Sequence, residues 1–263
     1  MSLLPSKIPA SAFETGSFAR APTFPAMRFT SQAEFREYLA DSQSLLDARY
    51  AYEQSLATSE ASIVQSGTCA PCLRSARFTS RTAEGTRLPD GRYVPNWREA
   101  MQCDCRDQLN NRHRAVLHFV QAAGIQPWTR LLLAGPPSAV DLPLSGMVRV
   151  AMRLPETGLM PQTEAFHLAV SHDHLQHAAA PQAVLAAIRG QLLEGGRFIF
   201  TAPFHHEAAA SQPSTGPGTA NVFGWDLLDM LRQAGFRDAA AYLYWSEELG
   251  YLGPMNFIFR AVK

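Results

Sequence analysis

Four cysteines and a run of histidines are the residues of this chain with the most chemistry to offer. Cys69 and Cys72 form a CxxC pair, and Cys103 and Cys105 a CxC pair. Four thiolates are what a closed tetrahedral zinc site takes, and a CxxC turn lets two sulfurs converge on one ion. Four sulfurs leave no open position for water, so a zinc ion held by Cys69, Cys72, Cys103 and Cys105 is expected to be structural. Two alternatives stand beside this. Cys69-Ala70-Pro71-Cys72 has the spacing of a redox dithiol, though not between a strand and a helix as that motif requires. Four ordinary thiols are the plainest reading.

Six of the eight histidines lie between positions 167 and 206, so one end of a sheet would be enough to gather them. His172, Asp173 and His174 follow one strand-like run, and His205, His206 and Glu207 follow another. Were those strands neighbours, these side chains would crowd together as general acid and base groups, or as a metal site with open positions. The bland reading is loop histidines in polar contact with solvent. His167, inside a strand, reads as a core residue.

The rest of the chain must position these groups. With 263 residues and 46% hydrophobic content it can bury a full core. Lys+Arg and Asp+Glu are equal at 23 each, so no global attraction to nucleic acid or to an anionic membrane is expected. The N-terminus lacks the apolar core of a signal peptide, and no run of about 18 apolar residues occurs; the expectation is a soluble, cytoplasmic protein. Residues 1–30 read as an extended arm. Ser31, with Glu34 in capping-box spacing, starts one or two amphipathic helices reaching to about residue 64. A cysteine-bearing module follows over 66–109, with 1–65 as arm and helices and 110–263 as an α/β domain. In that last part a helix at 110–121, strands at 130–134, 147–151, 166–171 and 197–201, and a helix from about 181 to 193 alternate. They argue for a mainly parallel sheet with helices on its faces. A helix at 225–234 stopped by Gly235, and a terminal hairpin of 239–244 with 257–261, complete it. A Gly/Pro/Ser/Thr-rich loop at 211–220 reads as mobile.

Phe166–Phe204 (FHLAVSHDHLQHAAAPQAVLAAIRGQLLEGGRFIFTAPF) carries a resemblance. Strand, His174-Leu175-Gln176-His177, helix, Leu192-Leu193-Glu194-Gly195-Gly196-Arg197 and strand, followed later by Ala234-Gly235-Phe236, resemble the second half of a class I S-adenosylmethionine (SAM) methyltransferase. Upstream, the first cysteine pair, Asn96-Trp97-Arg98-Glu99, the second pair and Asn110-Asn111-Arg112 resemble the zinc-knuckle segment that precedes some bacterial members. Together these cover roughly 66–240. The resemblance implies a Rossmann-like methyltransferase sheet with an N-terminal helical and zinc-binding appendage. It makes Phe166–Ser171 the fourth strand, with Ser171, His172 and Asp173 at the end where open α/β sheets bind ligands.

The first half departs from that pattern. A SAM site needs a glycine-rich turn after the first strand and an acid ending the second, to hold the ribose. Here Leu131–Ala134 is followed by Gly135-Pro136-Pro137, with one glycine and two residues that lack an amide donor. Only 35 residues separate Leu131 from Phe166, where three βαβ steps of about 30 residues each are expected. The prolines there speak against the usual crossover helices, and at least one βα unit reads as deleted. Asp141, and Glu156 at the end of the weaker strand, are the candidate ribose acids, with Gly135 and Ser171 beside them. The sequence thus implies three functions. The first is a SAM-dependent methyltransferase-like protein with a degenerate cofactor site, acting on a small molecule or sugar intermediate, with His172, Asp173 and His205 lining the site. The second is a non-catalytic scaffold or partner subunit, bound to another protein or to its own copies. The third is a metal-dependent enzyme built on the histidines.

Overall fold

A computed structural model describes residues 22–105, 108–154, 165–215 and 219–263. In chain order the elements are β1 (Ala26–Phe29), α1 (Gln32–Asp41), α2 (Gln43–Ser55), β2 (Ser62–Cys69), β3 (Arg74–Arg81), β4 (Thr86–Arg87), β5 (Tyr93–Val94), β6 (Gln102–Cys103), α3 (Asn111–Ala122), β7 (Arg130–Leu133), α4 (Asp141–Gly146), β8 (Val150–Arg153), β9 (Phe166–His172), α5 (Pro181–Gln191), β10 (Leu192–Thr201), α6 (Asp226–Gln233), β11 (Asp238–Ser246) and β12 (Tyr251–Val262).

The central sheet runs in the order β1-β11-β12-β10-β9-β7-β8. β8, β7, β9 and β10 are parallel, while β12, β11 and β1 continue the sheet by antiparallel pairing. This is a mixed α/β, Rossmann-like sheet of the kind the alternating elements imply, with the expected C-terminal hairpin. Between β7 and β9 the described residues supply one strand, β8, which forms the sheet's edge.

Alternation along the strands decides what each face covers, because successive side chains point to opposite sides. Leu131, Leu133, Leu168, Val170, Ile199, Tyr242 and Ile258 share one buried cluster with α3 and with Cys69, Cys103 and Cys105. Leu132, Phe198, Phe200, Ala241, Phe257 and Phe259 share the other with Phe35 of α1 and the leucines of α5 and α6. The cysteine-bearing hairpin β2–β3 and strand β6 form their own three-stranded sheet, packed into the first of these clusters.

The local readings hold at several joints. Ser31 accepts the Glu34 N–H at 3.3 Å as the α1 cap, and the Glu34 carboxylate returns to Thr30 N and Oγ1, both at 2.6 Å. Gly235, at φ 94°, ends the α6 segment. Others need correction. Helix stops at Ser55, and Ile63 lies in β2, because its neighbours pair with β3 from Ser62 to Cys69. A six-residue helix, α4, does form between β7 and β8; Pro143 sits in its first turn, where a missing N–H costs nothing. The Gly195-Gly196 segment is a bulge within β10, not a turn before it. His167 is exposed at the start of β9, its Nδ1 accepting from Arg130 N–H at 3.0 Å, and is not a core residue. The flanks of the 211–220 loop are tied: Ser211 N–H and Oγ donate to Asp226, and Ser214 N–H to Asn221 Oδ1.

Candidate functional site

β2 ends at Cys69, and the chain reverses through a tight turn. Cys72 N–H donates to the Cys69 carbonyl at 3.1 Å, and Leu73, at φ 52°, donates to Ala70 at 3.2 Å. Cys103 in β6 stands opposite Phe78 of β3. Cys105 opens the following turn, its carbonyl accepting from Gln108 N–H at 3.0 Å. The strands thereby deliver both pairs to one point. The sulfurs of Cys69, Cys103 and Cys105 lie within 4.8 Å of one another and all three residues are buried. Half-buried Cys72 shares hydrogen bonds with Cys69 and Cys103. All four are free thiols. Hydrogen bonds from Cys69 and Cys72 favour the thiolate at Cys103, and the bond to Cys103 pushes the Cys72 thiol up to about 12. Arg74 Nε donates to Cys105 Sγ at 3.4 Å. Soft sulfur donors gathered this closely could hold a metal ion.

At the carboxyl ends of β7 and β8 the chain's own side chains bond to one another. Gly135, at φ 111°, carries the backbone out of β7. A Cβ there would lie 2.6 Å from His174 Cβ, so His174 is packed onto the glycine. β8 ends at Arg153, not at an acid. Its guanidinium donates to the Gly135 carbonyl and pairs with Asp141. Asp141 also accepts Ser138 N–H at 2.8 Å and Ser138 Oγ–H at 2.9 Å. Its carboxylate is therefore engaged as an intrachain clamp. Ser171 is buried within β9. Glu156 lies outside the described residues.

Asp173, at φ 49°, turns the chain at the end of β9. Its carboxylate accepts Thr201 Oγ–H at 2.8 Å and pairs with Arg112 in the first turn of α3, which also pairs with Glu99. His172 continues the face of Leu168 and Val170, toward α3, and its ring lies 4.9 Å from that of His113. Nε2 of His172 stands 3.8 Å from Asp173 Oδ2. Burial, and then the Arg112 charge, push the His172 imidazole down to about 3 and hold it neutral; burial lowers His113 in the same way.

His205 and His206 belong to other surroundings. The His206 ring meets Phe35 at 5.8 Å, and the His206 carbonyl accepts Trp225 Nε1–H at 2.7 Å, on the α1 and α6 side of the sheet. Strand alternation has sent His172 to the opposite face. Among the described residues the cysteines form the one group of three or more potential metal ligands within 4.8 Å, and the histidines form none. The expected crowding of His172, His174, His205 and His206 does not occur. Arg112, His113 and Arg153 are not legible in the sequence as site residues: Arg112 closes the Asn110-Asn111-Arg112 motif, and nothing in the sequence marks Arg153 beyond its place near the end of a weak strand.

No protein-family model matches this sequence, and no curated protein matches it. Among solved structures, a SAM-dependent methyltransferase from Thermotoga maritima is similar at TM-score 0.38 and 16% identity, over 53% of this chain and 84% of that one. A phosphoethanolamine N-methyltransferase from Haemonchus contortus is similar at TM-score 0.39 and 14% identity, over 58% and 53%. A SAM-dependent methyltransferase from Mesorhizobium loti is similar at TM-score 0.35 and 13% identity, over 53% and 92%. Likeness at this level is no guide to cofactor or substrate. No described helix is long and apolar enough to cross a membrane.

Proposed function

We propose that this chain is a methyltransferase-like protein with a degenerate SAM site, serving as a non-catalytic scaffold or partner subunit. The observation that carries this reading is Arg153. It stands at the end of β8, where a SAM site needs a ribose acid, and it joins the Gly135 carbonyl to Asp141. A cation in that place, a histidine packed onto the one glycine, and prolines at 136 and 137 leave little to receive the methionine or ribose parts of SAM.

The same reading includes a structural zinc ion held by Cys69, Cys72, Cys103 and Cys105. The donor set supports it: three buried sulfurs within 4.8 Å and a fourth in contact, all reduced. The ion would supply folding energy to a hairpin module that packs into the first buried cluster, and no reactive step.

A second reading, an enzyme that methylates a small molecule, is favoured by one observation. His172 and Asp173 lie at the carboxyl end of β9, with His113 alongside, and SAM chemistry mainly requires an acceptor to be positioned and deprotonated.

Calorimetric titration with SAM and S-adenosylhomocysteine, with elemental analysis of the same sample, tests the proposal. No heat of binding and one zinc per chain are expected. Micromolar SAM binding would overturn the scaffold reading and favour the second.

A further inference from the structure

Resting on the zinc reading above, we infer that Arg114 and Arg74 are the two counter-charges of the metal centre, Arg114 from within the core and Arg74 from the surface. A divalent ion with four thiolates carries two net negative charges. Burying such a group is costly unless positive charge lies close by.

Arg114 is fully buried and is the fourth residue of α3. Its guanidinium donates to the carbonyls of Leu249 at 2.5 Å, Gly250 at 2.8 Å and Met101 at 3.1 Å. It lies over the Phe78 ring at 4.1 Å and the Tyr251 ring at 5.2 Å. Among the described residues no carboxylate pairs with it, and its Nε is buried without a hydrogen-bond partner. Its neighbour Arg112, by contrast, has two carboxylates. A buried guanidinium with carbonyls alone is an uncompensated charge.

Those contacts lead into the buried cluster that holds Cys69, Cys103 and Cys105. Phe78, under the guanidinium, is the cross-strand partner of Cys103. Met101, whose carbonyl Arg114 holds, precedes Cys103 by two residues. Tyr251, the other ring under Arg114, shares one buried cluster with Cys69, Cys103 and Cys105. On the outer side, Arg74 Nε reaches Cys105 Sγ. One cation behind and one in front balance the two net negative charges.

Zinc content of the wild-type chain comes first. A chain purified in zinc-containing buffer that holds no zinc overturns the zinc reading and this inference with it. Zinc affinity is then measured by competition with a chelating dye. Arg114→Met is expected to weaken zinc roughly 10-fold to 100-fold, the usual range for groups that support metal ligands. In a Cys72→His background, where the centre carries one less negative charge, the same change costs a smaller factor. Arg74→Gln, on the surface, weakens zinc roughly twofold to fivefold. An unchanged affinity in Arg114→Met, or an equal loss in both backgrounds, overturns the proposal, because a clip that only gathers carbonyls does not sense ligand charge. Should Arg114→Met not fold, Arg114→Lys decides: it keeps the charge and the wild-type affinity, and a loss of roughly 10-fold or more overturns the proposal.

Discussion

Arg153, the last residue of β8, is ion-paired with Asp141, the first residue of α4. The same guanidinium holds the Gly135 carbonyl at the exit of β7. One side chain thus laces together the strand end, the glycine turn and the short crossover helix.

Arg153→Ala removes that lacing. The pair is partly exposed, so screening limits the loss to about 1 kcal/mol of stability, read from urea denaturation. SAM titration of the variant stays flat, since the prolines at 136 and 137 still lack amide donors. Binding heat in the variant would show that Arg153 alone closes the site.

On the zinc reading, Cys103→Ser removes one of the three buried sulfur ligands. Zinc content falls well below one per chain by elemental analysis, and stability drops by several kcal/mol if the metal supplies folding energy to the module. A variant that keeps full zinc content and an unchanged unfolding midpoint contradicts the four-cysteine assignment.

His172 predicts a pH dependence. Its folded value is lowered to about 3, against an unfolded value near 6.5. Between these values the unfolded chain binds the extra proton. Stability from keeping this imidazole neutral is therefore present above about pH 6.5 and is lost as pH falls toward 3, with a limiting slope of about 1.4 kcal/mol per pH unit. Comparison of wild type with His172→Asn over pH 4–7 isolates the slope; parallel curves would refute it.

Asn111 joins three parts of the molecule. It is fully buried, and its Nδ2 donates to the Trp97 carbonyl at 3.1 Å and to the Leu252 carbonyl at 2.6 Å. Asn111→Leu leaves both carbonyls unpaired in the core and is expected to cost about 3 kcal/mol. Chemical denaturation measures it, and a loss under about 1 kcal/mol would mean that water or a shifted backbone takes over the bonds.

Much of the sheet was legible along the chain, because strand and helix periods are local. Leu131–Leu133 and Phe198–Phe200 alternate between faces, α5 carries its apolar stripe between two strands, and Ser31 and Gly235 mark helix ends through their own backbone chemistry. The convergence of the cysteines was legible too, since a CxxC turn constrains two sulfurs by itself. The histidine cluster misled, because nearness in sequence says nothing about which face of a sheet a strand presents.

By itself, then, the sequence determined the alternation of elements, the turn at Cys69–Cys72 and the poverty of the glycine loop, all set by contacts within a few residues. Tertiary structure alone decided which groups meet: His172 with His113 and not with His206, Arg153 with Asp141, and Arg114 over Phe78, the cross-strand neighbour of Cys103. Those pairings depend on strand order and on which face of the sheet each residue takes, and both are set by burying two separate apolar surfaces at once.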